Sequence, residues 1–166
     1  MAQQNSFDVS TGADLQEVDN AVNQAMKEVN TRYDFKNTKC TIDFDRAKSL
    51  LTLEADDEYR LKALYDVLQT KFVKRGVPLK NMKAGTVQDA THGRARQIVN
   101  LTQGIPTDTA KEIVKAIKQR GFKKVQSAIQ GDEVRISSPS KDELQEVMGF
   151  LRGQDFGIEL NFGNYR

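Results

Sequence analysis

The sequence predicts an α+β fold in which the element order strand, helix, strand, strand, helix, strand occurs twice in tandem. Two observations support this prediction. Several short segments alternate apolar with polar residues, which is typical of half-buried strands. Between them, longer segments carry apolar residues every three or four positions, as on one face of a helix. The order of the two kinds of segment repeats along the 166 residues, and such a repeat defines the architecture.

Turn and capping residues delimit the elements of the first repeat. The segment 11–14 is typical of a helix start, and Gly76 stands where the second helix should end. In order, we predict strand 6–10, a helix from residue 14 to around residues 31–33, strands 39–44 and 51–54, helix 56–76, a loop with an irregular strand at 77–91, and strand 94–102.

The second repeat contains the clearest local signals. Residues alternate on both sides of Gly131 and Asp132, and a two-residue turn that begins with glycine is typical of a type II′ hairpin. Pro139 ends the hairpin, and Ser140 with Glu143 has the spacing of a capping box. In order, we predict a helix that is capped by Thr107 or Asp108 and ends at Gly121, strands 124–130 and 133–138, helix 140–151, and strand 158–162.

This element order is that of the split βαβ, or ferredoxin-like, unit. Each unit would place two helices on one face of a four-stranded antiparallel sheet and leave the other face open. Strand alternation predicts polar residues on that open face. In the second unit they are Gln126, Gln130, Glu133, Arg135 and Asn161, and in the first Lys39, Thr41, Asp43, Thr52 and Glu54.

Composition and missing motifs exclude several classes of protein. No apolar stretch approaches the roughly 20 residues that cross a bilayer, and the first residues lack the pattern of a secretory signal. A single cysteine excludes an internal disulfide framework. We therefore expect a cytoplasmic protein with no membrane association.

The motifs of common active sites are absent as well. The sequence has no glycine-rich phosphate loop, and one histidine with one cysteine cannot form the usual zinc sites. His92 stands in a predicted turn, and Cys40 falls on the apolar side of a strand. We expect no catalytic residues, no metal and no cofactor.

The formal net charge is +2, but the charges are unevenly distributed. Residues 60–83 hold seven Lys/Arg and one Asp/Glu, and a second group of cations lies between residues 111 and 124. Such clusters can attract phosphate-bearing ligands. Most of these cations also stand late in predicted helices, where they complement the negative end of the helix dipole. Both interpretations stay open.

The predicted open sheet face suits flat ligands, as in RNA-recognition modules of the same topology. Aromatic residues for base stacking are absent from the hairpin, and the chain contains no tryptophan. Arginines and amides of this face could bind phosphates and base edges, or they could form a solvated surface with cross-strand pairs. They are Arg94, Arg96, Arg135, Gln126, Gln130 and Asn161.

Several ordered motifs resemble the YajQ family over nearly the whole chain. They are Ser6-Phe-Asp-Val9, Arg32-Tyr-Asp-Phe-Lys-Asn37, Leu101-Thr-Gln-Gly-Ile105, the segment 125–135, Lys141-Asp-Glu-Leu-Gln145 and Phe162-Gly-Asn-Tyr-Arg166. This resemblance implies two ferredoxin-like domains whose leading strands are exchanged. The first domain would be residues 11–93, completed by strand 94–102, and the second residues 103–166, completed by strand 6–10.

The resemblance further implies a nucleotide-binding protein that is not an enzyme. Members of the family are linked to cyclic di-GMP, GTP and RNA. Sites for cyclic di-GMP commonly pair arginines with guanine edges and phosphates, and they stack the bases on flat groups. On these grounds the candidate nucleotide-binding residues are Arg32, Asp34, Phe35, Arg94, Arg96, Gln130, Arg135, Asn164, Tyr165 and Arg166. Asp34 and Phe35 have an alternative role, in a helix-to-strand connection that a buried aromatic anchors.

Three functional hypotheses result. The leading one is a non-catalytic nucleotide-binding protein, in the form of a cyclic di-GMP effector that acts through a regulatory protein partner. The second is an RNA- or DNA-binding protein that uses basic helix ends and an open polar sheet face. The third is a chaperone-like or structural interaction module with incidental nucleotide affinity.

Overall fold

The computed structural model describes residues 4–166, which form two compact units. The central unit is the continuous segment Gly12–Gln103. The terminal unit combines the chain up to Thr11 with the segment Gly104–Arg166. Each unit has two α-helices and one antiparallel sheet.

Regular elements alternate along the chain in the predicted order. They are β1 (Asn5–Ser10), α1 (Leu15–Thr31), β2 (Thr41–Asp45), β3 (Leu50–Ala55), α2 (Glu58–Lys74), β4 (Met82–Ala84), β5 (Gln88–Asp89), β6 (Ala95–Leu101), α3 (Thr107–Arg120), β7 (Gln126–Gln130), β8 (Glu133–Ser138), α4 (Lys141–Arg152) and β9 (Asn161–Gly163). Short 3-10 helices lie at Tyr33–Phe35, Leu79–Asn81 and Thr91–Gly93.

The strand order of both sheets is that of a ferredoxin-like unit. The terminal sheet has the order β7-β8-β1-β9, so the N-terminal strand lies between two strands from the far end of the chain. The central sheet has the order β2-β3-β6-β4, and β5 also pairs with β6. The predicted α+β class and the two tandem ferredoxin-like units are confirmed. The domain boundaries drawn from the sequence stay a prediction.

The helices of the central unit begin where short acidic side chains cap them. The carboxylates of Asp14 and Asp57 accept the N–H groups of Gln16 and Arg60 at 2.9 and 2.8 Å. Such caps stabilise a helix by about 1 kcal/mol. Both helices contribute to an apolar core with the sheet, and its fully buried members include Val18, Ala21, Ala25, Leu51, Leu53, Leu64, Leu68, Phe72 and Val99.

The terminal unit has a core of its own, to which β1 contributes centrally. Phe7 and Val9 of β1 are fully buried, as are Val134 and Ile136 of β8. Burial of such a side chain contributes about 1.5–3 kcal/mol relative to its exposure. The N-terminal strand is therefore an integral part of this core.

Two predicted helix starts differ in detail. Ser140 Oγ accepts the Glu143 N–H at 3.2 Å, but the Glu143 carboxylate accepts the N–H of Lys124 at 3.3 Å instead of closing a capping box. Pro106 is the N-cap of α3, without a side-chain hydrogen bond, and the helix begins at Thr107. Neither Thr107 nor Asp108 is therefore its cap.

The irregular segments also differ from the predictions. Two short strands, β4 and β5, replace the single irregular strand predicted at residues 77–91. The last strand is shorter than predicted, because only Asn161–Gly163 pairs regularly. Beyond it Asn164 has a φ of 53°, and Arg166 then exchanges backbone hydrogen bonds with Ser6 at 3.0 and 3.2 Å. The chain end thus continues along β1 after a local bulge.

Candidate functional site

The predicted binding residues divide equally between the two units. Arg32, Asp34, Phe35, Arg94 and Arg96 belong to the central unit, and Gln130, Arg135, Asn164, Tyr165 and Arg166 belong to the terminal unit.

Arg32 is engaged in a local cluster that follows α1. Its guanidinium donates to both oxygens of Asp34, at 2.9 and 2.6 Å, and to Glu28 at 3.3 Å. It also lies 5.3 Å from the centre of the Phe35 ring, which is itself buried. Hydrogen bonding to Arg32 lowers the pKa of Asp34 from its ordinary value. The Arg32 guanidinium is therefore already paired with carboxylates of this cluster, which anchors the connection from α1 to β2.

The other two arginines of the central unit are likewise paired with carboxylates. Arg96 Nη2 lies 2.7 Å from Glu54 Oε1, and the two residues are register partners on β6 and β3. Arg94 Nη1 donates to Asp56 Oδ1 at 2.8 Å, and the same oxygen accepts the Lys39 N–H at 3.3 Å. Both guanidinium groups therefore already have anionic partners within the protein.

In the terminal unit, Arg135 and Asn164 share the carboxylate of Asp8. Arg135 donates to both oxygens of Asp8, at 2.9 and 3.3 Å, and Asn164 Nδ2 donates to Oδ2 at 2.6 Å. The hydrogen bond from Arg135 is the main reason that the pKa of Asp8 is lowered, and burial of the carboxylate opposes it. This cluster lies on the face of the sheet opposite to Phe7 and Val9, since neighbouring side chains alternate.

Asp8 is not among the nucleotide-binding residues predicted from the sequence. One signal for it was present, because Asp8 stands between Phe7 and Val9 in a predicted strand and so belongs to the polar face. Gln130 lies apart from this cluster, at the exposed end of β7 next to the hairpin turn.

Tyr165 and Arg166 line a groove between α4 and β1, with a volume of about 310 Å³. We call it the α4 groove. Its lining residues are Asn5, Ser6, Lys141, Leu144, Gln145, Met148, Tyr165 and Arg166. Such a volume is at the lower end of the range for small-molecule sites.

The α4 groove combines three kinds of contact. The Tyr165 ring is 62% exposed, and its centre lies 6.5 Å from that of the buried Phe7 ring. Leu144 and Met148 are buried and give the groove an apolar floor. Within residues 4–166, neither Lys141 nor Arg166 forms a side-chain ion pair. The groove therefore offers a ring for stacking beside two available cations.

Residues 4–166 contain neither a metal-binding cluster nor a membrane-spanning helix. No group of three or more His, Cys, Asp or Glu side chains is placed to hold a metal ion. No helix is long and apolar enough to cross a bilayer.

Comparison with known proteins gives matches over the whole chain. Residues 5–166 match a family described as "Nucleotide-binding protein YajQ-like". A protein of Koribacter versatilis is 49% identical over 162 residues, which cover 98% of this chain and 97% of that protein. A protein of Desulfitobacterium hafniense is 48% identical over 166 residues, and one of Desulforamulus reducens is 45% identical over 166 residues. These alignments cover all of this chain and 100% and 99% of the two relatives, and all three names describe a nucleotide-binding protein.

Proposed function

Because this chain belongs to the YajQ-like nucleotide-binding protein family, we propose that it binds a guanine nucleotide in the α4 groove. The observation that carries this proposal is the exposed Tyr165 beside two cations, Lys141 and Arg166, neither of which forms a salt bridge within residues 4–166. Tyr165 would stack on the base, and the two cations would bind the phosphates.

The chemistry of each contact supports this assignment. Stacking of a base on an aromatic side chain contributes roughly 1–3 kcal/mol. Hydrogen bonds from Lys and Arg to phosphate oxygens are charge-assisted and stronger than neutral ones. The Gln145 amide on the same wall can donate to and accept from the edge of a base. Guanine presents donors and acceptors to such a group, as adenine does, so the preference for guanine is a prediction that titration with GTP and ATP tests.

The size of the groove bears on the choice of nucleotide. A volume of about 310 Å³ holds one base with its sugar better than a whole dinucleotide. Cyclic di-GMP would therefore place one guanosine in the groove and leave its second half at the surface. In an effector, a regulatory protein partner would bind to that exposed half. We place this activity in the cytoplasm, where guanine nucleotides are available.

The remaining candidate arginines are assigned to holding the fold. All four lie within 3 Å of a carboxylate oxygen: Arg32, Arg94, Arg96 and Arg135, at 2.6, 2.8, 2.7 and 2.9 Å. A phosphate would have to displace these carboxylates, which would lose the ion pairs already formed. Binding at the α4 groove carries no such cost.

Binding of RNA or DNA through the open sheet faces is the less favoured alternative. The arginines of these faces, Arg96 and Arg135, are paired with Glu54 and Asp8. The register places no aromatic side chain on the open face of β2, β3 and β6 or of β7 and β8, whereas sheets that bind single-stranded RNA stack bases on aromatic rings.

Isothermal titration of the full chain with GTP, GMP, cyclic di-GMP and ATP tests the proposal. We expect saturable binding of at least one guanine nucleotide and weaker binding of ATP. Arg166→Gln should weaken that binding roughly tenfold, since a charge-assisted hydrogen bond is lost. Lys80→Gln, at an exposed cation of the central unit, is the matched control and should bind as the wild type does. Equal affinity of wild type and Arg166→Gln would refute the proposed site.

A further inference from the structure

The terminal sheet ends in an edge strand that lacks the usual protection against further pairing. Among residues 4–166, β7 pairs with β8 alone. Its sequence, Gln-Ser-Ala-Ile-Gln, contains neither a charged residue nor a proline. Natural edge strands commonly carry such residues, because open backbone groups otherwise recruit another strand. β7 is therefore open to strand addition.

The corresponding edge of the central sheet is protected. β2 occupies the same position in its sheet as β7 does in the terminal sheet. It carries Asp43 and Asp45, both exposed, and their charges oppose the approach of a further strand. The unprotected edge is thus a property of the β7 sequence and not of the fold.

The hairpin register defines which backbone groups of β7 are open. Gln130 and Glu133 flank the two-residue turn, so they form a hydrogen-bonded pair. Hydrogen-bonded and non-hydrogen-bonded pairs alternate in an antiparallel ladder, so Ser127 and Ile129 belong to non-hydrogen-bonded pairs. Their N–H and C=O groups point away from β8. These four groups can pair with an added strand.

A second cavity, of about 450 Å³, lies between α3 and the start of β7. Its lining residues are Ile117, Lys118, Phe122, Val125, Gln126 and Ser127. The side chain of Ile129 lies on the same sheet face as that of Ser127 and is 41% exposed. Three of the six lining residues are apolar, and a strand added outside β7 would place every second side chain over them and over Ile129.

The surroundings of this edge are strongly basic. Six exposed cations lie on α3 and on the connection to β7, and none forms an ion pair with another described residue. They are Lys111, Lys115, Lys118, Arg120, Lys123 and Lys124. The acidic residues of α3 are Asp108 and Glu112 alone. A segment bound along β7 would be favoured by negative charge.

We infer that β7 is the docking site for an extended acidic segment of a partner protein, which adds to the terminal sheet as a fifth strand. Backbone pairing with Ser127 and Ile129 provides the affinity, as in other cases of strand addition. Alternate apolar side chains of the segment enter the cavity beside α3. The overall negative charge of the segment complements the cations on α3 and on the connection to β7. This surface does not depend on the proposed nucleotide site.

Other occupants of β7 are less favourable. Two copies of this chain paired through β7 would bring two sets of six cations together, and like charges repel. Nucleic acid would match the charge, but it has no strand backbone to pair with Ser127 and Ile129, and it has no apolar side chains to place beside Phe122 and Val125. An acidic peptide satisfies all three features.

The test uses the full chain and a fluorescent peptide of alternating sequence, Glu-Ile-Glu-Val-Asp-Ile-Glu, with both ends blocked. We expect saturable binding, with amide NMR shifts concentrated in residues 126–130. Ser127→Pro should weaken binding roughly tenfold or more, because it removes one outward N–H without touching the β7–β8 ladder. Lys118→Glu should weaken binding similarly, and the matched control Lys80→Glu should bind as the wild type does.

A second probe keeps the test independent of the folding of Ser127→Pro. The same peptide, N-methylated at every residue, has no backbone N–H on either edge and should not bind. The inference is overturned if the unmodified peptide does not bind up to millimolar concentration. It is also overturned if the N-methylated peptide binds equally well, since attraction would then be purely electrostatic. Dimers of the free chain that Ser127→Pro dissociates, or binding of transfer RNA that Ser127→Pro abolishes, would assign the edge to those occupants instead.

Discussion

Arg135 donates two hydrogen bonds to the carboxylate of Asp8, at 2.9 and 3.3 Å, although 127 residues separate them in the chain. The two residues are register partners on β8 and β1. Asn164, beyond β9, donates to the same carboxylate at 2.6 Å. A single acidic side chain from the N-terminal strand therefore joins three segments of the terminal unit.

Removal of residues 1–10 should unfold the terminal unit and leave the central unit folded. The deletion takes away Phe7 and Val9, both fully buried, and the backbone pairing of β8 and β9. Limited proteolysis with mass spectrometry should give a protected fragment within residues 12–103 and rapid cleavage within residues 104–166. Unchanged protection of residues 104–166 would contradict the role of β1 in that unit.

Asp8→Asn should destabilise the protein by about 1–2 kcal/mol at neutral pH, because it weakens a charge-assisted pair of an Asp8 side chain that is only 11% exposed. Urea unfolding of both proteins at pH 7 measures this difference. Ser10→Ala, at an accessible position of the same strand, is the control and should have a much smaller effect.

The difference between wild type and Asp8→Asn should depend on pH in a defined direction. The pKa of Asp8 is lower in the folded protein than its usual value of about 3.9. The stability that its charge contributes is therefore present above about pH 4 and is lost as the pH falls through the lower, folded pKa. Urea unfolding of both proteins between pH 7 and pH 2.5 should give a constant difference that shrinks only in the acid range. A difference that persists undiminished at pH 2.5 would contradict the assigned pKa direction.

Gly104→Ala and Gly149→Ala should change stability in opposite directions. A Cβ at residue 104 would lie 2.5 Å from Asp132 Oδ2 and 2.7 Å from Asp132 Cβ, so we expect a loss of about 1–3 kcal/mol. A Cβ at residue 149 meets nothing within 4 Å, and alanine is the better helix former inside α4 by about 0.5–1 kcal/mol. Thermal unfolding of the two variants provides the comparison. A stabilised Gly104→Ala would disagree with the close approach of Asp132.

Cys40 should react slowly with thiol reagents as long as the protein is folded. Its side chain is 9% exposed, and burial raises the pKa of the thiol, so little thiolate is present at pH 8. Reaction with Ellman's reagent should be slow in buffer and fast in concentrated urea. Equal rates in both solutions would place Cys40 at the surface.

Local patterns made most of the fold predictable. The β7–β8 hairpin was predictable because its alternation, its Gly131 turn and the N-cap Ser140 all act over a few residues, and Gly131 has the positive φ of 62° that such a turn requires. The last strand was overestimated, because Ile158 and Leu160 continue the alternation but lie outside the regular pairing. Burial of an apolar residue does not require a strand.

The state of the candidate arginines could not be predicted in the same way. Arg96 and Arg135 bind carboxylates that lie 42 and 127 residues away, and only the strand register brings these partners opposite each other. The position of the two arginines on an open sheet face was predictable, but their pairing with carboxylates was not. The α4 groove has the same origin, because Asn5 and Ser6 of β1 line it together with Lys141 and Tyr165 from the far end of the chain.

The most direct test of the proposed function is the guanine-nucleotide affinity of Tyr165→Leu, measured by isothermal titration beside wild type. Tyr59→Leu is the control, because Tyr59 is another exposed tyrosine, 73% exposed on α2 of the central unit. We predict that Tyr165→Leu weakens binding roughly tenfold or more, as the loss of one stacked base implies, whereas Tyr59→Leu has no effect. Undiminished binding by Tyr165→Leu would contradict the placement of the nucleotide in the α4 groove.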